Sequence, residues 1–575
     1  MKYLSALLLA GLCLLAQADI APEAATGRSQ LKSASGQHWM AVTANPYATD
    51  TAAAILAAGG TALDAAIAAQ LVLGLVEPQS SGIGGGAFLL YWQADKQQLH
   101  YYDGRETAPA ALKPDHFIAD NGRPMAFFDA VVGGHAVGVP GLLRMLDMAH
   151  QEHGTMPWPA LLQPAIRLAS DGFIVSPRLH GLLQDVAGHA PTMRQQAFVD
   201  YFFVNGQPRP VGSRLKNPAY AATLQRLADD GIDAFYSGAL ATQIVDAVQH
   251  NPLRPGLLAK ADMAGYQPRR RPPLCKPVQG WQLCGAAPPA SGPLAVMQVL
   301  AMLQALPGAS EVAAGSAAFY HRFAEALKRA MADRDRYLAD PDVVRQPLAA
   351  LLDDGYLAQR AKGISLTAAS VDVAAGVIDG FSHWQAAPSP ELPSTSHLSI
   401  VDRDGNIVSM TSSIEMAFGS RIMVGGFLLN NQLTDFSFVE RANGQPVANR
   451  AEAGKRPRSS MAPMLVLDQR QQPQLVIGSP GGSRIISYVA KTLAQHLFYG
   501  ATPGQAMESP QLSHHNGVLY LEKSAAGQPL QAALEAFGHR VQLAEQASGL
   551  HLIVRQPDGW QGLADSRREG TAAGR

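Results

Sequence analysis

Charge is scarce in this chain: Asp, Glu, Lys and Arg make up only 16% of its 575 residues, against about 25% in an average soluble domain. Hydrophobic residues reach 47%, with 54 Gly and 39 Pro spread along the sequence. That composition excludes a disordered chain and a coiled coil. Forty-five Lys and Arg nearly cancel 46 Asp and Glu, leaving a net charge of −1. No global positive field exists to hold a polyanion, so nucleic acid is not an expected partner. At roughly 150 residues per domain the length allows three or four domains' worth of core, or one large unit.

Cysteine is scarcer still, with three in all. Cys13 lies in the chain's one long apolar run, Leu4 to Leu15, which comes after Lys2 and ends in Ala16-Gln17-Ala18. That order is a secretory signal peptide over residues 1–18, too short to span a bilayer. Leu12 before Cys13 argues against a lipid-modified cysteine. Removing the leader takes one lysine and no acid, so the mature chain carries −2 and is expected to be exported, periplasmic or secreted, without a membrane anchor. Cys275 and Cys284 remain. If Gln279-Gly280 makes a two-residue hairpin turn, the two cysteines face each other at a non-hydrogen-bonded pair, where side chains lie closest. A disulfide and a pair of reduced half-buried thiols both stay open, and a zinc site needs more ligands than two.

The common catalytic signatures are missing as well: no G-x-S-x-G elbow, no H-E-x-x-H, no P-loop and no C-x-x-C. Gly82 to Gly86 formally matches a dinucleotide fingerprint. The next segment, Ala87 to Trp92, reads as a strand where that fingerprint needs a helix, so the match is rejected. Thr49 to Val76 reads as two Ala-rich helices split at Gly59-Gly60, with Thr61 an N-cap. Phe319 to Tyr337 and Ser483 to Leu497 have helical periodicity, amphipathic in the second case. His397 to Asp402 and Asn406 to Ser412 read as strands joined at Asp404-Gly405, and Met464 to Leu467 with Gln474 to Ile477 as a second pair. The mixture predicts α and β layers packed on each other rather than alternating parallel βαβ units.

What is present is a set of hydroxyl-rich and glycine-rich segments, most of them in the last third. In order they are Glu77-Pro78 with Gly82 to Gly86, Asp103-Gly104-Arg105-Glu106, Thr395-Ser396-His397, Asn430-Asn431-Gln432 with Asp435, Lys455-Arg456-Pro457 with Ser459-Ser460, and Gly478-Ser479-Pro480-Gly481-Gly482. Taken singly, each is a strand end or a turn. Together, and with the ending Ala564 to Arg568 and Gly570 to Ala572, they resemble the γ-glutamyltransferase (glutathione hydrolase) family of N-terminal nucleophile enzymes.

That resemblance implies a four-layer αββα fold of the α+β class, formed jointly by two fragments of one precursor. The cut falls between Ser394 and Thr395, giving 376 residues (19–394) and 181 residues (395–575) that stay together as a heterodimer. It implies Thr395 as nucleophile and new N-terminus, Ser413 as its hydroxyl partner, and Gly481 and Gly482 as oxyanion donors. Gly481-Gly482 just before a helix is itself a setting that favours negative charge. Arg105, Ser459 and Ser460 fall to the substrate α-carboxylate; Asp435, Gln432 and Glu415, where some members carry Asn and others Glu, fall to its α-ammonium. No cofactor or metal is implied. Substrates are then glutathione and related γ-glutamyl compounds, with amino acids, peptides or water as acceptors. A glutaryl-amide (cephalosporin-type) acylase and a γ-polyglutamate-processing relative are the rivals in chemistry, and an inactive exported γ-glutamyl-binding protein the rival in class. The segment Val439 to Gly454, a lid with an aromatic residue in some members, contains no Tyr, Phe or Trp, which favours hydrolysis over transfer. His514-His515 reads as structural rather than as a base or metal site.

Overall fold

The computed structural model describes residues 28–387, 394–514 and 516–575. The leader with Cys13, and His515, lie outside the described residues. Helices α1 (Pro46–Ala57) and α2 (Ala62–Val76) begin at local signals. Asn45 caps the first, and Thr61 and Asp64 exchange a capping box at the second. Gly59 between them sits at φ +95°, a turn only glycine makes cheaply.

Fourteen strands build two seven-stranded sheets. In chain order they are β1 (Lys32–Gly36), β2 (Met40–Thr43), β3 (Gly86–Gln93), β4 (Gln98–Gly104), β5 (Arg269–Arg271), β6 (Leu274–Val278) and β7 (Trp281–Gly285). After Ser394 come β8 (Ser396–Val401), β9 (Ile407–Ser413), β10 (Met464–Leu467), β11 (Pro473–Gly478), β12 (His551–Gln556), β13 (Gly559–Ala564) and β14 (Thr571–Gly574). One sheet runs β14-β2-β8-β9-β3-β4-β5 and the other β1-β13-β12-β11-β10-β7-β6. Every neighbouring pair is antiparallel. Strands from before and after Ser394 are combined within both.

The two-residue period of the strands sorts their side chains into layers. Leu398, Ile400, Val408 and Met410 leave the first sheet toward α1, α2 and the helices α3 (Trp158–Asp171) and α4 (Pro218–Asp229). Val401, Ile407, Met40, Val42 and Trp92 leave its other face and meet Leu465, Val476, Ile553 and Trp560 of the second sheet. The second sheet's far face, with Met464, Val466, Leu475 and Ile477, packs on α5 (Gly292–Ala305), α6 (Ala317–Tyr337) and α7 (Ile485–Phe498). Helix, sheet, sheet, helix is the four-layer αββα order of N-terminal nucleophile hydrolases.

Two local readings need correction. The helix expected from Ser483 starts at Ile485, after a 3-10 turn at Gly482–Arg484. It is also not amphipathic in place, since every residue from Ile485 to Gln495 is buried. Helix α6 is buried on its charged side too: Glu325 takes Lys328 at 2.6 Å and Arg329 at 2.9 Å, and Asp333 takes Arg360 at 3.1 Å. Buried charges survive only when paired in this way.

The β6–β7 turn places Gln279 and Gly280 at φ +44° and +83° and sets Cys275 opposite Cys284. The two are joined, with sulfurs 2.02 Å apart. Pro277, which has no N–H to give, falls at the neighbouring non-hydrogen-bonded position opposite Gln282.

Candidate active site

Thr395 immediately precedes β8, and Ser413 ends β9. The register Ser396↔Ser412 therefore brings the two hydroxyls side by side, 3.3 Å apart. The Ser394 carbonyl accepts from both, Thr395 Oγ1 at 2.7 Å and Ser413 Oγ at 3.0 Å. Ser413 Oγ also accepts the Glu415 N–H at 2.9 Å. That bond closes a turn in which Glu415 stands at φ +76°, a strained conformation for a non-glycine residue. From the other side, the Ser394 hydroxyl donates to the Gln79 carbonyl in the turn after α2.

The oxyanion segment arrives from the second sheet. β11 ends at Gly478 against His397 of β8: a Cβ there would stand 2.2 Å from the imidazole Cε1, so only glycine lets the sheets meet this closely. His397 is pinned between Thr411 Oγ1 at 2.8 Å and Ser399 Oγ at 3.1 Å. Gly481 and Gly482 come next, at φ +136° and +57°. Among the described residues neither N–H meets a protein acceptor.

Arg105 leaves the end of β4 fully buried, its Nε donating to Pro457 O at 3.1 Å and Nη2 to Arg458 O at 3.0 Å. The same Nη2 pairs with Asp435. Sequence reading placed these two at opposite ends of a ligand, whereas the structure joins them directly. Gln432 Nε2 donates to Asp435 at 2.6 Å, and Glu415 takes the Asn431 amide. Behind Arg105, burial pushes the Glu106 carboxyl up to about 8 despite a guanidinium 3.6 Å away.

These groups share one cleft enclosing about 240 Å³ of empty space, mouth included. It is lined by Arg105, Thr395, Ser413, Glu415, Gln432, Asp435, Ser459, Ser460, Met461, Gly482 and Ile485. Gly481 stands next to it without lining it. Met461, Ile485 and Asn431 escaped sequence reading: two are apolar and the third, inside a motif, had no assigned role. Arg568, read only as part of a terminal motif, donates to the Thr395 carbonyl at 3.4 Å.

The remaining expectations sit elsewhere. His514 ends a short strand 6.0 Å from His539 in the outer layer. Among the described residues no cluster of three metal-ligating side chains occurs and no helix is long and apolar enough to cross a membrane. The 439–454 segment folds as a small hairpin, Arg441–Ala442 with Gln445–Pro446. Its base is tied to the cleft by Asn449, which donates to Asp435 O at 2.7 Å and accepts from Arg458 N at 3.0 Å. The aromatic residue just before the segment, Phe438, is buried and stacks on Phe117 at 4.4 Å.

A family model described as gamma-glutamyltranspeptidase matches residues 48–575. The chain is 33% identical over 551 residues to a glutathione hydrolase proenzyme of Bacillus subtilis (strain 168), covering 94% of this chain and 92% of that protein. To an acylase ACY 1 proenzyme of Pseudomonas sp. (strain SE83) it is 34% identical over 563 residues, 96% of each. Among solved structures, a cephalosporin acylase from Bacillus halodurans superposes with a TM-score of 0.81 at 26% identity, covering 95% of this chain and 97% of that one. With the fold and the motif order in agreement, the chain belongs to the γ-glutamyltranspeptidase family.

Proposed function

We propose that this chain is an exported, self-cleaving γ-glutamyl hydrolase and transferase that acts on glutathione and related γ-glutamyl amides. The observation that carries the reading is the single cleft holding the Thr395 and Ser413 hydroxyls, Gly482 and both halves of a glutamate-sized polar set. In the uncut chain the Thr395 nitrogen is an amide and cannot take a proton. The Thr395 hydroxyl attacks the Ser394 carbonyl carbon, the Ser394–Thr395 C–N bond breaks, and the hydroxyl proton goes to the leaving nitrogen. Water then hydrolyses the resulting ester, leaving a carboxylate on Ser394 and a free Thr395. The fragments are 19–394 and 395–575.

The α-amine so released has an ordinary pKa near 8 and can accept the proton of its own hydroxyl. Thr395 Oγ1 next attacks the γ-amide carbon, and the tetrahedral oxygen draws on the Gly481 and Gly482 N–H groups. The amine leaves with the proton, and water or an amino acid takes the acyl group from Thr395.

Charge favours a γ-glutamyl over a glutaryl donor. Among the cleft-lining residues two carboxylates, Glu415 and Asp435, face one guanidinium, Arg105. A glutamyl head brings an ammonium to Glu415 and Asp435 and a carboxylate to Arg105, Ser459 and Ser460. A glutaryl head brings only more negative charge. The acylase relatives keep that alternative in view, and one experiment tests both readings. Purified protein is run on a denaturing gel beside assays on γ-glutamyl and glutaryl anilides. Two bands and preference for the γ-glutamyl compound are expected, whereas Thr395→Ala gives one uncut band and no turnover. A Thr395→Ala protein still cut at Ser394, or wild type preferring the glutaryl compound, overturns the reading.

A further inference from the structure

Two serines at the cleft are held by a residue of helix α6 that lines no part of it. Arg334 is buried, and its guanidinium is spread over the back of the Ser459-Ser460 pair. Nη2 donates to Ser460 Oγ at 2.7 Å, and Nε donates to Ser291 Oγ at 2.8 Å. Ser291 then donates twice to the Ser459 carbonyl, through its hydroxyl at 2.6 Å and its N–H at 2.7 Å. One side chain thus grips Ser460 directly and Ser459 through one intermediary. Its own backbone is fixed in return, since the Arg334 carbonyl accepts Arg458 Nη1 at 3.1 Å. Arg334 and Arg458 both lie 3.1 Å from Asp335 Oδ1, two cations on one carboxylate.

From this geometry we propose that Arg334 is a positioning and specificity residue for the donor's α-carboxylate. A guanidinium hydrogen bond to a hydroxyl oxygen occupies an acceptor lobe and polarises the O–H, which makes the hydroxyl a stronger donor toward an anion. The Met461 N–H does the same to Ser459 Oγ at 3.2 Å, more weakly because it is neutral. The pair then presents O–H groups to the cleft, held from behind by the Arg334 guanidinium, and a carboxylate is the substrate group that gains. Arg334 touches no substrate and acts through Ser291, Ser459 and Ser460. The inference rests on the γ-glutamyl reading and names the residue that sets its carboxylate end.

The test compares two anilide donors that differ in that group alone, γ-glutamyl and 4-aminobutyryl, the second lacking the α-carboxylate. Wild type is expected to favour the γ-glutamyl compound. Arg334→Gln is expected to raise its KM about 10- to 100-fold, the usual weight of a hydrogen bond to a charged group, with kcat little changed. For the 4-aminobutyryl compound kcat/KM should stay within about twofold. Arg334→Lys, which keeps the charge and loses the fork, should recover part of the KM. Ser291→Ala leaves the guanidinium in place and should shift KM the same way by a smaller factor, which carries the test if Arg334→Gln does not accumulate folded. Equal losses on both donors, or none on either, overturn the assignment of Arg334 while leaving the γ-glutamyl reading intact. A wild type indifferent to the α-carboxylate overturns that reading and this inference together.

Discussion

Asp435 carries the substrate question. It accepts from Arg105 and Gln432, so it is neither solvated nor idle. A γ-glutamyl donor would trade those contacts, giving its ammonium to Asp435 and its carboxylate to Arg105. Asp435→Asn is therefore expected to cost about 3–5 kcal/mol in kcat/KM for a γ-glutamyl anilide, because a desolvated ammonium loses its counter-charge. The same change frees the Arg105 guanidinium, so a glutaryl anilide should be spared or improved. Self-cleavage should proceed, since Thr395, Ser413 and Ser394 are untouched. Paired kcat/KM values for both anilides check this, and an equal fall on both would assign Asp435 a purely architectural part. The sequence made the members of this site visible but not their partners. Arg105 and Asp435 lie 330 positions apart and carry no local mark of their pairing. Arg334 is less legible still, because on a periodic helix it reads as one more polar residue between core positions.

At the level of elements, legibility tracks how local the cause is. The strand pair 464–467 and 474–477, the Thr61 cap and the Gln279-Gly280 turn are written in a few adjacent residues, and the structure holds all three. The start of α7 is displaced from Ser483 because Gly481-Gly482 first turns the chain through a 3-10 segment shaped by the cleft. The burial of α7 and of the charged side of α6 depends on distant segments, such as Ser370 donating to Glu325 at 2.6 Å. The β6–β7 hairpin gives a direct prediction. Intact mass of protein from an exporting host should rise by two hydrogens on reduction, and alkylation without reductant should leave Cys275 and Cys284 unmodified. Closing so short a loop stabilises by at most about 3 kcal/mol, so Cys275→Ala with Cys284→Ala should lower the melting midpoint modestly and leave turnover intact. Full alkylation of both thiols in unreduced protein would remove the bridge.

Over the whole molecule, buried histidines set the response to acid. Burial holds His100 and His539 down to about 4, and His135 and His551 down to about 3. All four stay neutral in the fold, whereas in the unfolded chain they titrate near 6.5. The unfolded state thus binds more protons below that point, and the stability they protect is full above about pH 6.5 and is lost as pH falls toward 4. Glu106, raised to about 8, works in the opposite direction, since it is already protonated in the fold at neutral pH. Burial also lowers His116, His153, His189, His321 and His397, and raises Asp147, Asp333, Asp340 and Asp402 as well as Glu106. The histidines titrate across this interval in the unfolded chain whereas carboxylates titrate below it, so the urea midpoint should fall from pH 7 to pH 5, and a midpoint that rises over that interval would contradict the balance.

Along five seams, strands from before Ser394 are hydrogen-bonded to strands from after it: β1 to β13, β7 to β10, β3 to β9, and β2 to both β14 and β8. Neither side of that bond holds a complete sheet. If the chain is cut there, parting the pieces means unfolding both, so their association has no ordinary dilution constant and its lifetime is set by the unfolding barrier. Halves made separately would each expose ladders of unpaired N–H and C=O groups, which invite aggregation. On the proposed self-cleavage, one continuous chain folds before it is divided, and such a division is not readily undone.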